Sequence, residues 1–160
     1  GFSKRWRFST QDALMNVAGV GAALLFENNP RLDELVDLRF MYWPSREAGE
    51  GADPFGDYSG QTYLVALKGS GMPALRRHPV LRYLELSVGY GTRGYLAAPA
   101  AAQPTRNLYV GVSLNLSALL DRTAFRDGRG GRTQRITSTA LEFVQVPGTA
   151  ALARHRLGTD

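Results

Sequence analysis

The 160-residue chain contains no cysteine. That absence excludes disulfide scaffolds, thiolate zinc sites, iron–sulfur clusters and cysteine nucleophiles. The chain also lacks an apolar run of the roughly 18 residues that a membrane-spanning helix needs, and it has no fixed-period repeat. Lysine is nearly absent: of 19 basic residues all but Lys4 and Lys68 are arginine. Histidine is confined to His78 and His155, each beside arginines, and neighbouring positive charge disfavours a bound cation. No His/Asp/Glu cluster has ligand spacing, so neither a metal nor a cofactor is expected.

What is present suits one ordinary core: 44% hydrophobic residues, 21% charged, 18 Gly and 8 Pro. Charge is uneven. Residues 1–60 hold 6 basic and 9 acidic side chains, whereas residues 61–160 hold 13 and 5. The planar forks of the later half suit phosphates, carboxylates and aromatic faces, although a GC-rich genome would produce the same preference for arginine.

Ser9-Thr-Gln-Asp12 has capping-box spacing before the apolar run Ala13–Phe26, which predicts a helix. At about 1.5 Å per residue this run falls short of a bilayer core. It reads as a buried helix, a membrane-dipping one, or half of a hairpin whose partner is missing, the buried reading being slightly favoured. Gly19 and Ala23 belong to its cluster of small residues, which lets another backbone approach. Asn29-Pro30 starts a second helix over Arg31–Leu38. Residues 45–60 form an acidic loop.

Tyr83–Tyr90 and Asn107–Leu116 alternate apolar and polar residues and predict half-buried antiparallel strands. Tyr63–Leu67 is a third strand and Arg135–Val146 a possible fourth. Met72–Arg77 makes a helical turn and Ala97–Pro104 a linker. Three or four strands cannot close an outer-membrane barrel, which needs about eight, unless several chains combine. The expected architecture is therefore α+β in a single domain, 1–160. An N-terminal helical hairpin (1–44) packs on a small antiparallel sheet of three to four strands (61–147), followed by a tail (148–160).

Gly89-Tyr-Gly-Thr-Arg-Gly94 matches a dinucleotide fingerprint but opens no helix, and Asp121 is the first acid after it. Asp127-Gly-Arg129-Gly-Gly-Arg132 resembles a single RGG box, too little to expect nucleic acid as a partner. With no nucleophile elbow, no catalytic residue is assigned and no enzyme expected. The aromatic residues Trp6, Tyr42 and Trp43 suit a membrane interface or a partner surface, and equally ordinary capping of the core.

The segments Gly1–Gly19, Arg39–Ser45, Asp57–Tyr63, the two alternating strands and Phe143–Pro147, in that order, resemble the long members of the YfiM-type family of predicted periplasmic lipoproteins. The resemblance implies a Gram-negative envelope protein, and a processed or truncated piece of a longer one. It supplies no activity and hence no catalytic residue. The expectation is a non-catalytic, periplasmic, membrane-associated subunit contacting protein partners and a membrane surface through Trp6, Tyr42, Trp43, Gly19, Ala23, Arg129 and Arg132. The alternative is a module that binds a lipid or other small molecule.

Overall fold

A computed structural model describes residues 10–46, 48, 53–94, 104–126 and 131–157. Trp6, Ser9, Arg129 and most of the Ala97–Pro104 linker lie outside these, as do the side chains of residues 10–16 and 18. The chain divides into two compact units, Gly1–Glu34 and Leu35–Asp160.

The first unit holds α1 (Thr10–Asn28) and α2 (Pro30–Leu35). Asn29 places its carbonyl against the amides of Leu32 and Asp33, the helix start that Asn29-Pro30 signals. The favoured reading of the first helix as buried is corrected: Val17, Val20, Leu24 and Leu25 are each more than half exposed. Among the described residues an added Cβ at Gly19 or Gly21, two of the small residues that invite close packing, would meet nothing within 4 Å.

The second unit is a five-stranded antiparallel meander of β1 (Val36–Tyr42), β2 (Gln61–Lys68), β3 (Leu84–Arg93), β4 (Thr105–Leu114) and β5 (Ala150–Leu157), in that order. Between the last two strands lie α3 (Leu116–Thr123) and α4 (Gly131–Phe143). Asn115 caps α3, its side-chain oxygen accepting from the Ala118 amide at 2.8 Å.

Class and antiparallel pairing are as expected, but five details are corrected. The sheet has five strands rather than three to four, and the helices are not clearly an N-terminal hairpin. The second helix stops at Leu35, because Val36–Tyr42 pairs along its length with β2. The segment Arg135–Val146 is mostly helix. Gln134 and Ser138 both donate to the Asp121 carboxylate, at 3.0 and 3.1 Å, tying α4 to α3. The fifth strand comes from the supposed tail.

The sheet is strongly curled. Phe40 aligns through Tyr63 and Tyr90 with Leu108, six residues from Leu114 on β4. In a flat sheet Phe40 and Leu114 would stand about 14 Å apart across the strands and about 20 Å along them. Yet a short strap joins them. The Gln145 amide donates to Phe40 O at 3.0 Å, the chain turns between Val146 and Thr149, and Thr149 O accepts from the Leu114 amide at 2.9 Å. A turn covers less than about 7 Å, so only a curled, sheared sheet brings both ends within the strap's reach.

Candidate functional site

The curl encloses the wrong face for a protein whose sheet packs in water. The concave side holds Asp37 and Arg39 from β1, Thr62, Leu64 and Ala66 from β2, Glu85 and Ser87 from β3, and Asn107, Tyr109 and Ser113 from β4, all buried. The convex side carries the apolar residues. The alternation is as expected and its polarity is corrected: the polar side is buried and the apolar side is largely exposed.

Small residues make the polar interior possible. An added Cβ at Gly89 would press on Leu64 and stand 2.8 Å from Tyr63 O; one at Gly91 would lie 3.3 Å from the Tyr109 ring. These glycines give room to Tyr109 and Leu64 instead of cradling a phosphate, which is the structural content of the Gly89–Gly94 pattern.

Charges cross this interior in one chain of contacts. Lys68 Nζ reaches Asp37 at 2.6 Å, and the other Asp37 oxygen accepts from Arg39 at 2.6 Å. The Arg39 fork grips both oxygens of Glu85, at 2.5 and 2.7 Å, and donates to Gln145 Oε1 at 2.9 Å. Ser113 donates to Glu85 at 3.2 Å and pairs with Ser87 at 2.6 Å. Burial pushes the Glu85 carboxyl above its ordinary range, while the Arg39 charge and its hydrogen bonds pull the other way. Arg39 Nε and the Tyr109 hydroxyl are the buried polar atoms without a partner among the described residues. The carboxylates are bound by arginine, lysine and serine, contacts that join β1, β2, β3 and β4.

The convex face is ordered in rows by the register: Phe40, Tyr63, Tyr90 and Leu108; then Leu38, Val65, Val88 and Val110; then Val36, Leu67, Leu86 and Val112; and finally Leu84 with Leu114. Val65, Val88 and Val110, in the middle row, are 44%, 45% and 51% exposed. The first row is the aromatic one, and beyond it stand Trp43, Phe55 and Tyr58, all exposed.

Asp57 anchors the loop that carries them. Its carboxylate accepts from the Ser45 amide and hydroxyl, each at 2.7 Å, from the Gly60 amide at 3.0 Å and from the Tyr42 hydroxyl at 3.3 Å. Burial alone would raise this carboxyl, but the hydrogen bonds outweigh it and hold it below its ordinary value of 3.8. Asp57 therefore stabilises the fold fully above pH 3.8, and this contribution is lost as pH falls through its lower folded value. Asp57→Asn is expected to lower the urea midpoint, with a stability loss of about 2 kcal/mol at neutral pH. The gap to the parent should close on acidification; a gap independent of pH would contradict the anchor.

Of the sequence-derived contact residues, Tyr42 and Trp43 come together at the aromatic end. Arg132 is exposed in the first turn of α4, and Gly19 and Ala23 are exposed on α1 in the other unit. His78 caps a turn, Nδ1 accepting from the amides of Val80 and Leu81 at 3.3 and 3.1 Å; His155 is exposed on β5. Among the described residues no group of His, Asp and Glu could hold a metal, and no helix is long and apolar enough to cross a membrane. Sequence reasoning missed Asp57, Arg39 and Glu85. No family model, curated protein or solved structure matches the chain.

Proposed function

We propose that this chain is a non-catalytic, membrane-associated cell-envelope protein, a structural or accessory subunit of a larger assembly, whose convex sheet face lies against lipid acyl chains. The reversed polarity of the sheet carries this reading. In water an apolar face that exposes Leu38, Tyr63, Val65, Val88, Tyr90 and Val110 is unfavourable and marks an interaction surface, whereas a bilayer favours apolar-out, polar-in alternation. The 10 residues of β3 and of β4 match the roughly 9–11 of membrane strands, and the aromatic row at one end resembles an interfacial girdle. The periplasmic location implied by the YfiM-type resemblance belongs to the same proposal.

The assembly follows from the edges. Among the described residues β1 and β5 are the outer strands; the strap covers the β1 edge at Phe40, and the edge groups beyond it would need partners in hydrocarbon. A barrel needs at least about eight strands, so these five would form one wall, with other strands completing it. The small-molecule alternative gains little support: the apolar cavity lined by Leu67, Met72, Leu75, Leu81 and Leu86 holds about 160 Å³, below the range of about 300–1,000 Å³ usual for ligand sites.

The test is the native mass of the endogenous protein extracted from its membranes in mild detergent, with mass spectrometry of what co-migrates. A complex of fixed composition is expected. A free species near 17.5 kDa would overturn the subunit reading.

A further inference from the structure

The two outer strands present different edges. The Leu114 amide donates to Thr149 O at 2.9 Å, and antiparallel pairing alternates from there. Ala151, Ala153, His155 and Leu157, opposite Val112, Val110, Leu108 and Arg106, turn their amides and carbonyls toward β4. Those of Ala150, Leu152, Arg154 and Arg156 therefore point away from the sheet, where no described strand pairs with them. On β1 the strap occupies the middle of the outer edge: Val144 bridges to Phe40, and Phe40 O accepts from the Gln145 amide. The open edge is β5.

Such an edge recruits another strand, and its side chains decide which. β5 carries the convex rows onward, with His155 beside Leu108, Ala153 beside Val110 and Ala151 beside Val112. Its concave side holds Leu152 and the exposed Arg154 and Arg156.

We infer that the strand completing this edge is the β5 of a second copy of the chain, antiparallel to the first, with the two-fold axis at Ala153. The inference rests on the assembly reading above and names the strands that extend the wall. In this register Ala150 faces the partner's Arg156 and Leu152 faces the partner's Arg154, so every outward residue exchanges both backbone bonds. Sliding the pair by two residues in either direction leaves an outward residue of each strand unmatched. One of those directions also sets Arg154 against the partner's Arg154, and like charges directly opposite are destabilising. The register of fullest pairing thus keeps the arginines out of direct opposition.

The axis stands perpendicular to the sheet, so both convex faces lie on one side and form a single surface, five strands from each copy. The middle rows join through Ala153, and the two aromatic rows fall at opposite ends. Membrane barrels have an even number of strands, at least about eight, and aromatic girdles at both interfaces; one copy alone has five strands and one aromatic row.

Disulfide trapping tests the pairing. The chain has no cysteine, so each introduced one is its sole thiol. Opposite residues that share no backbone bonds hold their Cα atoms about 4.5 Å apart, within reach of a disulfide. Full-length chains carrying Ala153→Cys, Ala151→Cys, His155→Cys or Val88→Cys are separated into membrane and soluble fractions, oxidised and run on non-reducing gels. Ala153→Cys should give a covalent dimer of twice 17.5 kDa. Ala151→Cys and His155→Cys should each stay monomeric alone and form a mixed dimer when co-expressed, because Ala151 lies opposite the partner's His155. Val88→Cys, in the middle of the convex face, should stay monomeric.

A monomeric Ala153→Cys chain inside a larger complex of fixed composition would overturn the second-copy pairing and leave the subunit reading standing, with another protein's strand on β5. The same monomer without any complex would overturn both. Equal cross-linking at all four positions would also overturn the pairing, since it would report random collision or contact between faces. The Ala153→Cys dimer and the mixed pair, found only in the soluble fraction, would support the pairing and remove the membrane reading.

Discussion

Val88→Arg is expected to abolish membrane association while leaving the isolated sheet folded. Val88 sits in the middle row of the convex face, paired with Val65 on one side and Val110 on the other, and is 45% exposed. If the row faces water, an arginine there changes stability by no more than about 0.5 kcal/mol, as for most surface substitutions. If it faces the middle of a bilayer, the same change costs about 2–4 kcal/mol, a thirty- to thousand-fold loss of the inserted state. The two environments thus give different orders of magnitude for one substitution. Flotation with vesicles measures insertion, and Phe55→Arg, in an exposed loop, is the control. Insertion of Val88→Arg at the parental level would place this face elsewhere than in lipid.

The second large effect belongs to the interior. Arg39→Met is expected to destabilise the sheet unit by about 3–5 kcal/mol, a large share of the roughly 5–15 kcal/mol that holds a domain folded. Methionine fills much of the space but leaves Glu85 without its fork and Asp37 with Lys68 alone, so buried carboxylates face low dielectric or must take up protons. Adding Glu85→Leu should recover part of the loss, because removing both members of a buried pair is far less costly than removing one. Denaturant unfolding of the three proteins checks this. A single variant within about 1 kcal/mol of the parent would mean that the network contributes little.

Much of the sheet was legible in the sequence. The period of two in β3 and β4 shows in Leu84, Leu86, Val88, Tyr90 and in Leu108, Val110, Val112, Leu114, whichever medium the face meets. That independence is also why the polarity was misjudged: alternation distinguishes two faces and is silent on which one is enclosed. The available hint lay opposite, in Ser87, Gly89, Gly91, Gly111 and Ser113, a face of small residues suited to a tight interior. β5 went unread because Ala150–Leu157 lacks β-branched residues and pairing with β4 decides its state. The reverse holds for α4, where Ile136, Thr137 and Thr139 look strand-like but Asp121 ties the segment to α3.

The candidate site was less legible. Tyr42 and Trp43 were found because an aromatic cluster before a proline is a local signal. Asp57 reaches back 12 residues to Ser45, and Arg39 forward 46 to Glu85. No spacing rule predicts either contact, since both are created by the register of the meander.

The strap from Val144 to Thr149 also bears on the order in which the chain comes together. Arg39 and Gln145 are 106 residues apart. The β2–β3–β4 portion needs only neighbouring hairpins, whereas the strap closes a very long loop and so comes late by the entropy of closure. As the chain is synthesised, Asp37, Arg39 and Glu85 appear before Gln145. Until the strap docks, the concave face lacks its last partner and stays hydrated. The nascent sheet therefore keeps its charges wet while its hairpins form, and sealing of the interior waits for the strap.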